Sequence, residues 1–344
     1  MTPDVPTQTP AVLLKVEDLV VGTRDDQGRE VRLVDGVSFE IAEGEVLCIV
    51  GESGSGKSIT MAAVLGLLPT GVEVWSGRVE YRGEDLLAAD ERRLRELRGR
   101  RLAMVFQDPM TALNPVKRVG AQIARSVRLH GEGVSRAEAD RRAAALLAAV
   151  GVPDAAARAR AYPHQWSGGM RQRAVIAAAI AHDPDLLVAD EPTTALDVTI
   201  QAQIMELLAD ARRRTGAAMA LITHDLGLVA QTADRIVIMY SGRIVESGTV
   251  WELFDAPRHP YTAGLLASLL TAESASGRAY AVPGSPPQPA ARPAGCPFAP
   301  RCELPAKSAR CLTVVPPLRT VTHAHDSACH HAESVFRFAQ EVAG

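Results

Sequence analysis

The chain has 344 residues, of which 47% are apolar and 22% charged, and a formal net charge of -3. That length is enough for one large domain or two modest ones, and the composition is that of a globular protein. The near-neutral charge implies no basic surface and disfavours nucleic acid as a partner, and no run of about 18 apolar residues offers a membrane span.

Residues 1–11 open with MTPDVPTQTP, which has neither the basic start nor the apolar stretch of a signal peptide. They read as a flexible N-terminus, and the chain reads as cytosolic. From Val12 to about Ile49 the apolar-rich stretches LLKVEDLVV, VRLVDGVSFEI and EVLCIV predict strands, with DDQG at residues 25–28 as a hairpin turn. GESGSGKS at residues 51–58 follows the third strand and precedes ITMAAVLGLL, a predicted helix. Strand, glycine-rich loop and helix form the setting that a GxxxxGKS phosphate loop requires. In such a loop Gly51, Gly54 and Gly56 let backbone N–H groups turn toward phosphate, with Ser53, Ser55 and Ile59 in the same binding stretch. Lys57 would reach the β- and γ-phosphates, and Ser58 would ligate Mg2+ at the positive end of the helix.

Residues 108–183 read mostly as helix, with Ser135 and Glu138 spaced as a capping box ahead of AALLAAV. DLLVAD, AMALITHD and RIVIMYSGRIVESG then return to strand character. Between the first two, Ile200, Ile204, Leu207, Leu208 and Ala211 share one face of a helix that Gly216 closes. Strands alternating with helices predict a mainly parallel sheet, hence an α/β fold. DLLVADE delivers two carboxylates at the end of a buried strand. Asp190 is suited to holding Mg2+ and Glu191 to polarising an attacking water.

Beyond about Pro257 the composition changes. VPGSPPQPAARPAG predicts an extended linker, and a cysteine-bearing segment follows. Cys296, Cys302, Cys311 and Cys329 have five, eight and seventeen residues between them. Disulfides are rare in the cytosol, so clustered thiols suggest a metal first. The spacing is not a CxxC zinc pattern, and four thiolates suit iron–sulfur or zinc equally. His323, His325, His330 and His331 keep zinc in view. Cys48 reads as a small buried apolar residue.

WSGGMRQR at residues 166–173 resembles the LSGGQ signature of ATP-binding cassette (ABC) proteins. The phosphate loop, Gln107, the signature, Asp190–Glu191, ALD at residues 195–197 and THD with His224 also follow that family's order. The resemblance implies a P-loop NTPase cassette over residues 12–255, with antiparallel β and helical (about 108–183) subdomains around the mainly parallel core. Residues 256–344 would form a Cys-rich, metal-binding extension. It further implies that Ser167, Gly168 and Gly169 bind the γ-phosphate of ATP held by a second cassette. Gln107 would touch Mg2+ and the attacking water, and His224 the γ-phosphate. Asp197 would act across the dimer, cap its helix, or both. Trp166 and Met170 depart from the Leu and Gln of the signature, and residues 21–33 lack the aromatic that usually stacks on adenine.

FQDPMTALNPVKRVGAQI (106–123), RHPYTAGLLAS (258–268) and the tail pattern PGSPPxP with GCPFAPRC resemble the ATPases of oligopeptide, dipeptide and nickel importers, most nearly the D-type subunits of dipeptide importers. This implies an ATP-hydrolysing subunit of a peptide importer at the cytoplasmic side of the cell membrane. A second, homologous cassette, two permease subunits and an extracytoplasmic solute-binding protein would be its partners. The four cysteines would hold a [4Fe–4S] cluster, with Zn2+ as the alternative. The other readings are a nickel or other solute importer, or a soluble non-transport cassette ATPase. Repair-type cassettes need far more than the roughly sixty residues between Gln107 and the signature, and translation types carry two cassettes in one chain.

Overall fold

β1 (Val12–Arg24) and β2 (Glu30–Ala42) pair antiparallel around the expected turn. There Gly28, at φ +74°, donates to the Asp25 carbonyl at 2.8 Å, and the Asp25 carboxylate accepts the Gln27 and Arg29 N–H groups. The structure is a computed structural model that describes residues 11–194, 196–272 and 280–343; the N-terminal stretch expected to be flexible lies outside them except for Ala11. β3 (Val46–Val50) leads through the glycine-rich loop into α1 (Lys57–Val64). β4 (Val72–Tyr81) and β5 (Glu84–Asp85) join the first hairpin in a four-stranded sheet of order β2-β1-β4-β5.

α2 (Glu91–Leu97) and β6 (Leu102–Val105) come next. α3 (Pro109–Ala112), α4 (Val119–His130), α5 (Arg136–Ala149), α6 (Ala155–Arg158) and α7 (Gly168–Ala179) then occupy the span expected to be helical. Half of the expected capping box forms: Ser135 Oγ accepts the Glu138 N–H at 3.2 Å, while the Glu138 carboxylate pairs with Arg141 and Arg142. The chain continues with β7 (Leu186–Asp190), α8 (Val198–Thr215), β8 (Ala218–Thr223), α9 (Leu226–Thr232), β9 (Arg235–Tyr240), β10 (Arg243–Thr249) and α10 (Val250–Asp255). α11 (Pro260–Ala272), α12 (Arg310–Thr313), β11 (Arg319–Thr322), β12 (His325–Ser327) and α13 (Ala332–Ala343) follow.

Among the described residues the second sheet has eight strands, in the order β11-β12-β10-β9-β3-β8-β7-β6. β6, β7, β8, β3 and β9 pair in parallel, and β10, β12 and β11 add antiparallel. RIVIMYSGRIVESG is two strands, because Ser241 (φ +49°) and Gly242 (φ +77°) make a two-residue turn that needs positive φ at both positions. The central strands are apolar throughout because both faces are covered. In β3, Val46, Cys48 and Val50 point into the helix-side core, whereas Leu47 and Ile49 face the core shared with the four-stranded sheet. Each such buried aliphatic contributes about 1.5–3 kcal/mol. Cys48 is fully buried, and burial pushes its thiol up to about 12, as befits a small apolar residue. In α8, Ile204, Leu207, Leu208 and Ala211 are buried with Ile200 half-buried, and Gly216 closes the helix at φ +70°.

The proline-rich linker makes a short 3-10 turn at Pro289–Ala291 and is strapped to β2 by Arg292. Arg292 donates to the Arg32 carbonyl at 2.8 Å and to Asp35 Oδ2 at 3.3 Å. Asp35, 7% exposed, also pairs with Arg32 (2.8 Å) and Arg243 (2.5 Å). Burial pushes this carboxyl up, but the three guanidinium groups outweigh it and hold it below the ordinary aspartate range. A folded-state pKa below the unfolded one stabilises the protein above the unfolded value, and that contribution is lost as pH falls through the folded value. Asp35→Asn is therefore expected to cost about 1–3 kcal/mol at neutral pH and to leave a smaller gap from wild type in strong acid; denaturant melts across pH would check this.

Among the described residues no helix is long and apolar enough to cross a membrane.

Candidate functional site

β3 ends where the main chain must turn sharply beneath the β9–β10 hairpin. A Cβ on Gly51 would lie 2.2 Å from the Met239 carbonyl oxygen and 2.8 Å from Ser55 Oγ, so only glycine fits. Gly54 (φ +77°) and Gly56 (φ +101°) take the left-handed conformations the loop requires, and Gly56 caps α1. Gly51→Ala is expected to lower stability by roughly 1–3 kcal/mol through overpacking and to weaken Mg·ATP binding, read by thermal melting and ligand titration. Ser53 and Gly54 are exposed at the rim, Ser55 is buried, and Ile59 packs half-buried against the second core.

Lys57 is 5% exposed; its ammonium donates to the Gly51 and Glu52 carbonyls at 2.7 and 3.0 Å. Burial lowers its pKa, opposed by Glu191, Asp190 and Glu52. Ser58 Oγ donates to Asp190 Oδ1 at 2.9 Å, so the two residues expected to hold Mg2+ meet although 132 positions separate them. Burial raises the Asp190 pKa. A hydroxyl and a carboxylate oxygen converging beside a glycine cradle are the hard donors that Mg2+ takes with nucleotide phosphates, so the residues fit that ion.

Glu191 follows β7 at φ +44°, a strained conformation for a non-glycine residue, while its N–H donates to the Ile222 carbonyl at 2.9 Å. Its Oε2 accepts from Gln107 Nε2 at 2.9 Å and from Thr194 Oγ1 at 2.8 Å, and His224 Nδ1 lies 3.7 Å away. The structure thus gathers Gln107, Glu191 and His224 at one point from three separate strand ends. Thr194 joins them without having been expected; its only signal is its place three residues after Glu191 in the EPTTALD turn.

Ser167 caps α7 by accepting the Met170 N–H, and Ser167 and Gly168 are exposed. Trp166 is 3% exposed in the helix-side core and Met170 packs partly against it, so both departures from the signature anchor the turn by apolar contact. A Cβ on Gly169 would sit 2.9 Å from Ile200 Cγ2, which ties the turn closely to α8. Asp197 caps α8 by accepting the Ile200 N–H at 3.0 Å. Ala195, the first residue of the ALD stretch, lies outside the described residues.

In the tail, Cys296, Cys302, Cys311 and Cys329 line one cavity of about 20 Å³, and all four are free thiols. Gly295 permits this: a Cβ there would lie 2.4 Å from the Cys311 carbonyl oxygen, which accepts the Cys296 N–H at 2.8 Å. Burial pushes the Cys296 thiol up to about 11 and Cys329 to about 12, and raises Cys302 as well. Such thiols stay protonated unless a cation compensates. The expectation of a metal-binding tail is not supported: among the described residues no three His, Cys, Asp or Glu side chains are arranged to hold a metal ion. The zinc alternative loses three of its four histidines to other partners. His325 meets buried Glu246 at 2.7 Å, His330 the Val314 carbonyl at 2.9 Å, and His331 the Ser308 hydroxyl at 2.9 Å. The tail also has a small apolar core, formed by Ala263, Leu304, Cys329, Ala332, Val335 and Phe338.

A family model described as ABC transporter matches residues 34–194, and one described as Oligopeptide/dipeptide transporter, C-terminal region, matches residues 245–311. The chain is 50% identical over 324 residues to the oligopeptide transport ATP-binding protein OppD of Mycobacterium tuberculosis, covering 94% of this chain and 52% of that protein. It therefore spans about half the length of that relative. It is 48% identical over 289 residues to the dipeptide transport ATP-binding protein DppD of Lactococcus lactis subsp. cremoris, covering 84% of this chain and 82% of that one. Among solved structures it is similar to the dimeric, post-hydrolysis state of the ATP-binding cassette MJ0796 bound to ADP and Pi, with a TM-score of 0.62 and 26% identity over 69% of this chain and 98% of that chain. A phosphate loop facing the Ser58–Asp190 and Gln107–Glu191 pairs, an exposed Ser-Gly turn and these matches agree, and the chain belongs to the ABC transporter ATP-binding proteins, in the branch with the oligopeptide/dipeptide transporter C-terminal region.

Proposed function

We propose that this chain is the ATP-hydrolysing subunit of a peptide importer, working at the cytoplasmic face of the cell membrane. One observation carries the hydrolytic reading: Glu191, at the end of β7, is held by Gln107 and Thr194 and faced by His224 beside the Ser58–Asp190 pair. The peptide reading is supported by the OppD and DppD relatives and by the matched C-terminal region.

In this reading residues 12–255 are the cassette, with residues 108–183 as its helical part, and residues 256–344 are an extension. Gly51 and residues 53–59 wrap the phosphates of ATP, and Lys57 turns from its loop carbonyls to the β- and γ-phosphates. Ser58 and Asp190, with Gln107, would hold Mg2+, which when bound would neutralise charge on the phosphate oxygens. A second, homologous but non-identical cassette closes on the first, so each ATP lies between one phosphate loop and the other subunit's signature turn, for which Ser167, Gly168 and Gly169 supply a hydroxyl and free helix N–H groups. Asp197 faces that junction while capping α8. Glu191 draws the proton of a water whose oxygen attacks the γ-phosphorus; the bond to the β-phosphate oxygen breaks and ADP leaves with its electron pair. His224 steadies the γ-phosphate. Catalysis is then mostly positioning and charge neutralisation. Closure shifts the helical part against two permease subunits, and an extracytoplasmic binding protein delivers the solute.

The four cysteines are read as ligands of a [4Fe–4S] cluster with a structural role. Zinc draws four sulfurs to about 2.3 Å from one point, whereas a cluster takes one thiolate at each of four separate irons. What supports a shared group at all is that the four free thiols line one cavity; zinc is the alternative.

The test is reconstitution in liposomes with permeases, partner cassette and binding protein. Peptide-loaded binding protein is expected to raise ATP turnover. Stimulation by a nickel-loaded binding protein and none by peptide would overturn the substrate reading. Recovery of the chain from cells with ribosomes or DNA, and without permeases, would overturn the transport reading.

A further inference from the structure

Glu52 is the second residue of the phosphate loop, and the segment after the cassette holds it at three atoms. Its N–H donates to Tyr261 Oη at 2.9 Å. Its two carboxylate oxygens accept from Nη1 and Nη2 of Arg301 at 2.8 and 3.0 Å. Its carbonyl is one of the two that hold the Lys57 ammonium. The phosphate-loop pattern leaves this position free, so nucleotide chemistry alone does not call for a carboxylate here.

Arg301 is built for one place. Its side chain is 6% exposed. Nε donates to the Pro283 carbonyl at 2.7 Å, and the Nη groups also donate to the Val282 carbonyl and the Tyr240 hydroxyl, both at 3.3 Å. With the two bonds to Glu52 this uses all five N–H donors of the guanidinium. The group lies 5.7 Å from the centre of the Tyr240 ring and 5.9 Å from that of Phe298. A bidentate arginine–carboxylate pair fixes direction as well as charge. Arg301 sits in the 3-10 turn Ala299–Arg301, between Cys296 and Cys302, so the turn that closes the cysteine cavity also aims the guanidinium at the loop.

We propose that Arg301 is a positioning residue for the nucleotide site, fastening the phosphate loop through Glu52 to the cysteine-bearing tail so that the folded tail keeps the loop in its phosphate-binding shape. This rests on the reading of residues 51–58 as the ATP site. A loop already ordered loses less entropy on binding, so the strap acts on affinity and leaves the turnover of bound ATP alone.

The experiment titrates full-length protein with Mg·ATP and measures kcat at saturation for Glu52→Gln, Arg301→Gln, the double variant and Lys57→Ala. Each strap variant is expected to raise Kd and KM about tenfold, with kcat within about twofold of wild type. The double variant is expected to be no worse than the weaker single, because both remove the same link. Lys57→Ala reports on the site itself. If it binds poorly while Glu52→Gln and Arg301→Gln bind as wild type does, the strap is overturned and the ATP site stands. Normal binding by Lys57→Ala overturns both. Additive losses in the double variant, or a fall in kcat equal to the loss in affinity, also overturn the strap, since they report general damage. Glu52→Gln is nearly isosteric and keeps the test open should Arg301→Gln fail to fold.

Discussion

Glu191→Gln is expected to slow ATP turnover by roughly 10²–10⁴-fold, the usual worth of a positioned general base, while Mg·ATP binding stays near wild type. The amide keeps the shape of the carboxylate and its place beside Gln107 and Thr194 but cannot take the proton of the attacking water. The loss should fall on kcat, because the proposed role of Glu191 is toward the water and not the phosphates. A closed, ATP-filled pair of cassettes should accumulate, visible as an ATP-dependent rise in mass by sedimentation. Wild-type turnover in this variant would remove Glu191 from the role assigned to it. The strained φ of +44° fits that role: the chain accepts an unfavourable conformation at the one residue that must present its carboxylate beside Asp190.

Lys57→Ala should act on the other side of the reaction. A hydrogen bond to a charged group is worth about 1.5–3 kcal/mol, or roughly 10–150-fold in affinity for each phosphate oxygen that the ammonium no longer holds. Mg·ATP binding should therefore weaken by about one to two orders of magnitude per missing hydrogen bond, read by titration at fixed free Mg2+. A second effect adds to the first. Lys57 is the buried cation facing Asp190 and Glu191, and without it the Asp190 carboxyl, already raised by burial, moves further toward the protonated form. A Kd unchanged from wild type would mean that the loop does not grip the phosphates through this residue.

In the proposed function the two variants separate because binding and chemistry are assigned to different elements. That assignment is legible in the sequence, since GESGSGKS and DLLVADE each combine a local pattern with a backbone setting. β1, β2, β3 and β7 to β9 follow from apolar runs bounded by turn residues, and α8 from its 3.6-residue period ending at Gly216. β4 is missed because VEVWSGRVEY has a glycine and a serine in mid-strand; Gly77 is there because a Cβ would lie 2.6 Å from Leu19 Cα of the neighbouring strand. β6 is only four residues long and gains its strand character from β7 beside it. Neither Thr194 nor Arg301 can be placed from sequence, because each acts through contacts that only the folded chain creates. Arg301 lies 249 residues from Glu52, and a lone arginine in a proline-rich tail resembles any solvated charge. The tail illustrates the same limit in reverse. Its cysteines were legible as a group and line one cavity, but among the described residues no three metal-ligating side chains are arranged around an ion, and three of the four histidines that suggested zinc are bonded elsewhere.

The most direct measurement is a structure of the Glu191→Gln chain with its partner cassette and Mg·ATP. The expected result is one ATP per phosphate loop, with the Ser167 hydroxyl and the Gly169 N–H within hydrogen-bond reach of the γ-phosphate held by the opposite subunit. A nucleotide enclosed by residues 51–58 alone, with the Ser167 turn facing solvent and no cassette across from it, would contradict the shared site.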